Sequence, residues 1–302
     1  MSKNRNLLVP VDFRDESEIA LQYALFVARK ISATLHLLFI LEEESPLLKM
    51  VLKEEQRDMI RRGASDKLDE LAGKLLGGTF FTTQIRQGKV YQEIIKTAKE
   101  VRADLIFMGR TDSSDMVKNF TGTNTMHIIR ESEIPVITLR KKPEYFGCEH
   151  LVVPLDLTKQ TIIKASNAVV MARLLNAKIT VVSFLQEAGK SQEIKFITRL
   201  DEIRNIFEKL NLECDIKLVK EKSGSFDQIL NRTVRELQGD LIMIMTQQEM
   251  NITEFFIGSA AQQLINQSEF PVLSINPLAR EVKIIPDPLV DVFLNPIRMF
   301  DL

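Results

Sequence analysis

Cysteine is scarce in this chain: Cys148 and Cys214 are the only two among 302 residues. A disulfide framework is therefore not expected, and a reducing cytoplasm is the expected compartment. Long hydrophobic runs are missing as well. No apolar stretch reaches the ~18–20 residues that a membrane span requires. Met1 to Asn6 is short and polar, without the apolar region and cleavage site of a secretory signal. The Asn-x-Thr triplets at Asn119, Asn231 and Asn251 are accordingly read as chance matches. There is no excess of one charge either. With 40 basic and 41 acidic residues the net charge is −1, so composition recruits neither nucleic acid nor an anionic membrane.

Patterns that carry chemistry are equally sparse. There is no Gly-x-Ser-x-Gly elbow, no nucleophile–base pair and no Gly-x-Gly-x-x-Gly loop. Gly189-Lys190-Ser191 has the ending of a phosphate loop, but Phe184 occupies the place of its leading glycine. His36, His127 and His150 are scattered, and none pairs with a cysteine at metal-ligand spacing. These histidines and both cysteines are read as packing residues, and Met50, Met59 and Met126 as core or gap-fillers. The charged stretch Lys49 to Lys67 reads as a solvated helix face. The expectation is a chain with no catalytic residues and no metal centre, hence not an enzyme.

What the sequence does contain is a copy of itself. Leu7-Leu-Val-Pro-Val-Asp12 returns as Leu151-Val-Val-Pro-Leu-Asp156, at an offset of 144. Ala103-Asp-Leu-Ile-Phe-Met108 returns as Gly239-Asp-Leu-Ile-Met-Ile244, at an offset of 136. Gly122-Thr123 returns as Gly258-Ser259 and Ile134-Pro-Val-Ile137 as Phe270-Pro-Val-Leu273, both at 136. Four blocks in one order define an internal repeat. The second copy is eight residues shorter somewhere before Gly224, with the segment after its second strand as the expected place.

Within the first copy, strand and helix signals alternate. Leu7–Val11 reads as a strand, and Asp15 to Ile31 places apolar residues at helical spacing. Leu35–Ile40 is the next strand, followed by a charged amphipathic stretch from Pro46 to about Leu76. Phe80–Arg86 reads as a strand, Tyr91–Val101 as a helix, Leu105–Met108 as a buried strand, Thr123–Arg130 as a helix and Pro135–Leu139 as the closing strand. Such alternation predicts α/β domains, each with a five-stranded parallel sheet and helices on both faces. The expected division is residues 1–142, residues 149–276 and an apolar C-terminal tail, 277–302. The covalent link raises the effective concentration of each copy for the other and favours their packing as a pseudo-dimer, with Pro135–Leu139 and Pro271–Ile275 as the candidate strands, and such a chain is expected to dimerise again. The tail, rich in Val, Ile, Leu and Phe, is expected to dock on its own second copy or on a neighbour.

In an open parallel sheet a ligand sits outside the carboxyl ends of the strands. Asp12 and Asp156 each end a first strand, where an acid either accepts bonds from ligand hydroxyls or caps the following helix. Gly122-Thr123 and Gly258-Ser259 precede helical segments. There, glycine, hydroxyl and free amides either bind a phosphate or simply start a helix.

Taken together, a Val-Pro-Val-Asp first strand, a strand ending Met-Gly, Gly-Thr before a helix and Pro-Val in a last strand resemble the universal stress protein family over roughly residues 5–140 and 149–276. The resemblance implies a cytoplasmic stress-response protein that binds an adenine nucleotide, ATP, with Mg2+, as a regulatory ligand. Its implied contacts are Pro10, Asp12, Ile40, Met108, Gly109, Gly122, Thr123 and Asn124. The family's nucleotide-binding signature is Gly, two residues, Gly, nine residues, Gly-Ser/Thr. The first copy matches it at Gly109 and Gly122-Thr123 but carries Asp112 in place of the middle glycine, with Arg110 and Lys118 as nearby positive charge. The second copy has Met245 and Gln248 in place of the first two glycines, and its loop holds Glu249 and Glu254 and no basic residue. It is expected to be degenerate. The alternative is a member that binds no nucleotide and acts as a protein-interaction scaffold.

Overall fold

The computed structural model describes residues 4–42, 54–75, 77–110, 119–144, 146–155, 161–185, 190–220, 224–246 and 259–276. The chain divides into two compact units, Met1–Glu144 and Tyr145–Leu302. Unit one runs β1 (Arg5–Pro10), α1 (Asp15–Ile31), β2 (Ala33–Glu42), α2 (Glu54–Leu75), β3 (Phe81–Gly88), α3 (Val90–Glu100), β4 (Leu105–Gly109), α4 (Asn119–Glu131) and β5 (Val136–Leu139). Unit two runs β6 (His150–Pro154), α5 (Thr161–Leu175), β7 (Lys178–Phe184), α6 (Lys190–Lys209), β8 (Cys214–Val219), α7 (Phe226–Glu236), β9 (Leu241–Met245), α8 (Ser259–Gln267) and β10 (Val272–Ile275).

Five strands in unit one lie in the order β3-β2-β1-β4-β5, and those of unit two in the order β8-β7-β6-β9-β10. Every neighbouring pair within each unit is parallel. The strand order reverses between β1 and β4, and again between β6 and β9, so each unit has one switch point at its carboxyl edge. The central strands are apolar throughout because both of their faces are covered. Leu7, Leu8, Val9, Leu105, Ile106 and Phe107 are fully buried, each such side chain contributing about 1.5–3 kcal/mol relative to exposure.

Helix α1 shows how the sequence sets an element. Ala20, Leu21, Ala24, Leu25 and Ala28 recur at helical spacing and are all buried. Asp15, Glu16 and Glu18 occupy its first turn and Arg29 and Lys30 its last, each sign matching the helix dipole. Ser32, at φ 54°, ends it in the left-handed region.

The repeat extends to details that the aligned blocks do not reach. Ser32 and Asn176 (φ 54° and 51°) turn left-handed at corresponding places, as do Arg102 and Gln238 (52° and 54°). Ser132 Oγ bridges the backbone of Ile134, and Ser268 Oγ bridges that of Phe270, before each last strand. At the amino edge, Asp104 accepts the Asn6 N–H at 2.9 Å, and its counterpart Asp240 accepts those of Glu149 and His150 at 2.9 and 3.1 Å. The register also resolves the eight-residue difference. Phe81 stands beside Leu35 as Cys214 stands beside Ile179, so the third strands are 133 positions apart (214 − 81). Unit two therefore loses eleven residues between its second and third strands and regains three before α7.

Candidate functional site

Pro10, Asp12, Ile40, Met108 and Gly109 of unit one lie at the carboxyl ends of β1, β2 and β4 or just beyond them. Pro10 ends β1 half-buried, and the next peptide is held by Val11 N–H donating to Leu38 O at 2.8 Å. Asp12 follows, with its side chain 40% exposed. Its own N–H donates to Ser17 Oγ at 3.3 Å, and that hydroxyl donates to Arg14 O at 2.9 Å. Asp12 Oδ1 accepts the Arg14 N–H at 3.1 Å, and Oδ2 lies 3.6 Å from Arg14 Nε. The side chain thus builds the turn into α1 while remaining open to solvent, so the turn role is present and the ligand role is not blocked.

Two features of this turn were not read from the sequence. Phe13 adopts φ 61°, an uncommon conformation for a bulky residue. Its ring packs on Phe39 at 4.9 Å between centroids, and Lys67 Nζ from α2 lies 4.6 Å from its centre. Ser17, whose hydroxyl ties the turn together, was likewise missed. A serine in the first turn of a helix that follows a strand-ending aspartate is the signal that was there to find.

Met108 is buried at the end of β4, and Gly109 closes the strand. A Cβ on Gly109 would lie 2.0 Å from Glu16 O and 2.7 Å from Ser17 N. Glycine is therefore demanded by the close approach of α1, independently of any ligand. Arg110, expected to offer charge to the loop, is buried instead, with its N–H donating to Leu139 O at 2.8 Å. Ile40 is half-buried on β2, two residues beyond the Pro10–Leu38 rung. Gly122, Thr123 and Asn124 lie inside α4, which starts at Asn119, not at Thr123 as expected. The helix runs through Gly122 because one helical glycine costs only about 1 kcal/mol. Asp112 and Lys118 lie outside the described residues.

Unit two repeats the scaffold with different contents. Leu155 N–H donates to Val182 O at 2.9 Å, as Val11 does to Leu38. Phe184 takes the position of Ile40 and packs edge-on against Phe226, 5.1 Å away. Met245, buried, occupies the position of Gly109, and Thr246, that of Arg110. Asp156, Gln248 and Gly258 lie outside the described residues, as do Gly189 and the tail 277–302, while Ser259 opens α8.

The histidines sit elsewhere. His36 lies between Thr82 Oγ1 (2.8 Å) and Asn6 Oδ1 (3.1 Å), and His150 Nε2 meets Thr180 Oγ1 at 2.6 Å. Asn6 and His36 in unit one correspond to His150 and Thr180 in unit two, so one pairing is kept with its partners changed over. Burial lowers the pKa of both rings. For His150, Lys178 adds to this effect, against the opposing influence of the Gln238 backbone and of Asp240 and Asp215. His127 stacks on Tyr91 at 4.7 Å at the surface. Cys148 and Cys214 are both buried, and burial, with Asp215 and Glu208 nearby, pushes the Cys214 thiol up to about 12. Met59 corrects a sequence expectation: it is 75% exposed rather than core. Among the described residues no cluster of His, Cys, Asp or Glu has metal-holding geometry, and no helix is long and apolar enough to cross a membrane.

Two parallel-sheet α/β units with one switch point each, built on a repeated sequence, define a tandem doubly wound α/β fold. Comparison places it: residues 3–140 and again 148–276 match the universal stress protein family, and the chain belongs to that family. It is similar to universal stress protein MJ0531 of Methanocaldococcus jannaschii, 23% identical over 147 residues, which is 45% of this chain and 82% of that protein. Among solved structures, it resembles a universal stress protein from Archaeoglobus fulgidus, with a TM-score of 0.69 at 17% identity, covering 90% of this chain and 98% of that one. A functionally unknown protein, PA1789, from Pseudomonas aeruginosa is also similar, with a TM-score of 0.59 at 18% identity, covering 96% and 95%.

Proposed function

We propose that unit one binds an adenine nucleotide as a regulatory ligand and that unit two does not. The observation that carries this reading is the contrast at one position of the fold. β4 ends in Gly109, packed on the first turn of α1 into which the half-exposed Asp12 leads, whereas β9 ends in buried Met245. In unit one, Asp12 is the acceptor for ribose hydroxyls. The amino-terminal part of α4, which holds Gly122 and Thr123 about one turn in from Asn119, meets the phosphates. Asp112 adds negative charge to the sequence that joins β4 to α4, and a bound Mg2+ would offset it, which makes the binding magnesium-dependent. The protein acts in the cytoplasm as a stress-response component, and ATP is its signal rather than its substrate.

A second reading is favoured by Asp112 and by the Arg14 side chain beside Asp12. In it the chain is a scaffold that binds no nucleotide and works through protein contacts. Calorimetric titration with ATP, with and without magnesium, separates the two. The protein is first checked for co-purified nucleotide by denaturation and anion exchange. Saturable binding at one site per chain supports the first reading, and an empty folded protein that binds nothing supports the second.

A further inference from the structure

Unit one carries a flank that is complementary to itself. Its exposed large apolar side chains are Met59 (75%), Ile60 (48%), Phe80 (84%) and Phe81 (41%), all on α2 or at the start of β3. β3 is the outermost strand of this unit. Its two faces are covered, since Thr83 Oγ1 donates to Asp69 of α2 at 3.0 Å while Arg86 pairs with Glu100 of α3 at 2.5 Å. Among the described residues, no strand pairs with its outer edge. Leu35 N–H donates to Phe80 O with Leu35 in register with Phe81, so the even-numbered residues turn their peptide groups toward β2. Phe81, Thr83, Ile85 and Gln87 turn theirs outward. The usual defences of an edge are absent: no proline, no lysine, and a single charge, Arg86, already paired. The corresponding outer strand of unit two exposes Asp215 and Lys217.

We propose that this edge pairs with the same edge of a second copy of the chain, antiparallel, with Ile85 on the twofold axis. Ile85 then faces Ile85 and Thr83 faces Gln87, each rung exchanging two N–H···O bonds between outward-turned residues. The helix shows why this register fits. Asp69 bonds Thr83, and Arg61 Nη2 donates to Gln87 Oε1 at 3.3 Å, so α2 runs antiparallel along β3. Eight helical residues at ~1.5 Å and four strand residues at ~3.3 Å both span about 12–13 Å. The level of Ile85 is therefore that of Ser65, midway between Arg61 and Asp69. An axis there sets Arg61 of one copy opposite Asp69 of the other, with Arg62 and Glu70 beside them. The same axis brings Met59 of one copy to the level of Leu71, near the exposed Phe81 of the other. One axis, chosen by the strand, thus matches charge to opposite charge and apolar to apolar, which is the self-complementarity that an isologous contact requires.

Sedimentation velocity and light scattering on the full chain test this pairing. The expected wild-type species at tens of micromolar is a dimer of twice the 34.5 kDa chain mass. Arg61→Glu sets like charges face to face twice across the axis and is expected to weaken the dimer about tenfold or more, and Arg61→Glu with Asp69→Arg to restore it. Ile85→Pro removes an N–H that β2 does not use, and is expected to give a folded monomer by circular dichroism. A wild-type monomer at these concentrations, or a dimer indifferent to Arg61→Glu, overturns the proposal.

Discussion

Gly109 has two reasons to be glycine, and they are separable by experiment. The phosphate reading asks for it because a ligand comes close. The structure asks for it because α1 does, with Glu16 O at 2.0 Å from where a Cβ would be. Gly109→Ala is expected to cost about 1–3 kcal/mol of stability as α1 is pushed from the sheet. Urea denaturation without nucleotide checks this, and an unchanged midpoint would remove the packing role. A second residue-scale expectation concerns the changed-over histidine pairs. Burial depresses the pKa of His36 and His150 below the unfolded value of 6.5. A depressed pKa means that the unfolded chain binds the proton more readily. The stability is therefore fully present above about 6.5 and is lost as pH falls through the folded-state values. His36→Thr and His150→Asn, each borrowing the residue of the other copy, should flatten the decline in melting temperature between about pH 6.5 and 5. Unaltered slopes would mean that neither ring titrates with folding.

The elements divide into those that local chemistry announces and those that it conceals. The periodicity of α1 was legible to the residue, because apolar spacing, acidic first turn and basic last turn agree over Asp15–Ile31. The start of α4 was not, because Gly122 reads as a helix breaker from sequence while the helix already runs from Asn119. The sequence offset revealed the net loss of eight residues but not the compensating loss and gain on either side of β8, which only strand register exposes. Asp12 stayed ambiguous between turn and ligand, because the choice depends on where Ser17 and Arg14 point. Met59 was misread because a methionine in an amphipathic stretch says nothing of which side of the helix is left uncovered. The position of Gly122 within α4 yields a test at this scale. Gly122→Leu replaces a poor helix former by a good one, gaining up to about 1 kcal/mol of helix propensity. The melting temperature should hold or rise while ATP affinity falls at least tenfold. Unchanged affinity would mean that the phosphates do not meet α4 at this turn.

At the scale of the whole molecule, duplication has kept the scaffold and let the sites diverge. Both units retain the strand order, the left-handed turns and the aspartate at the amino edge. These features belong to the backbone path and the hydrogen bonds that tie the strands together. The carboxyl edges have diverged: Met245 stands where unit one has Gly109, Phe184 where it has Ile40 and Thr246 where it has Arg110. Our proposal of one working site and one silent site rests on that divergence, and the number of nucleotides bound per chain tests it most directly. Calorimetric titration of nucleotide-free protein with Mg-ATP is expected to saturate at one ATP per chain. Two sites per chain, or none, would contradict the account.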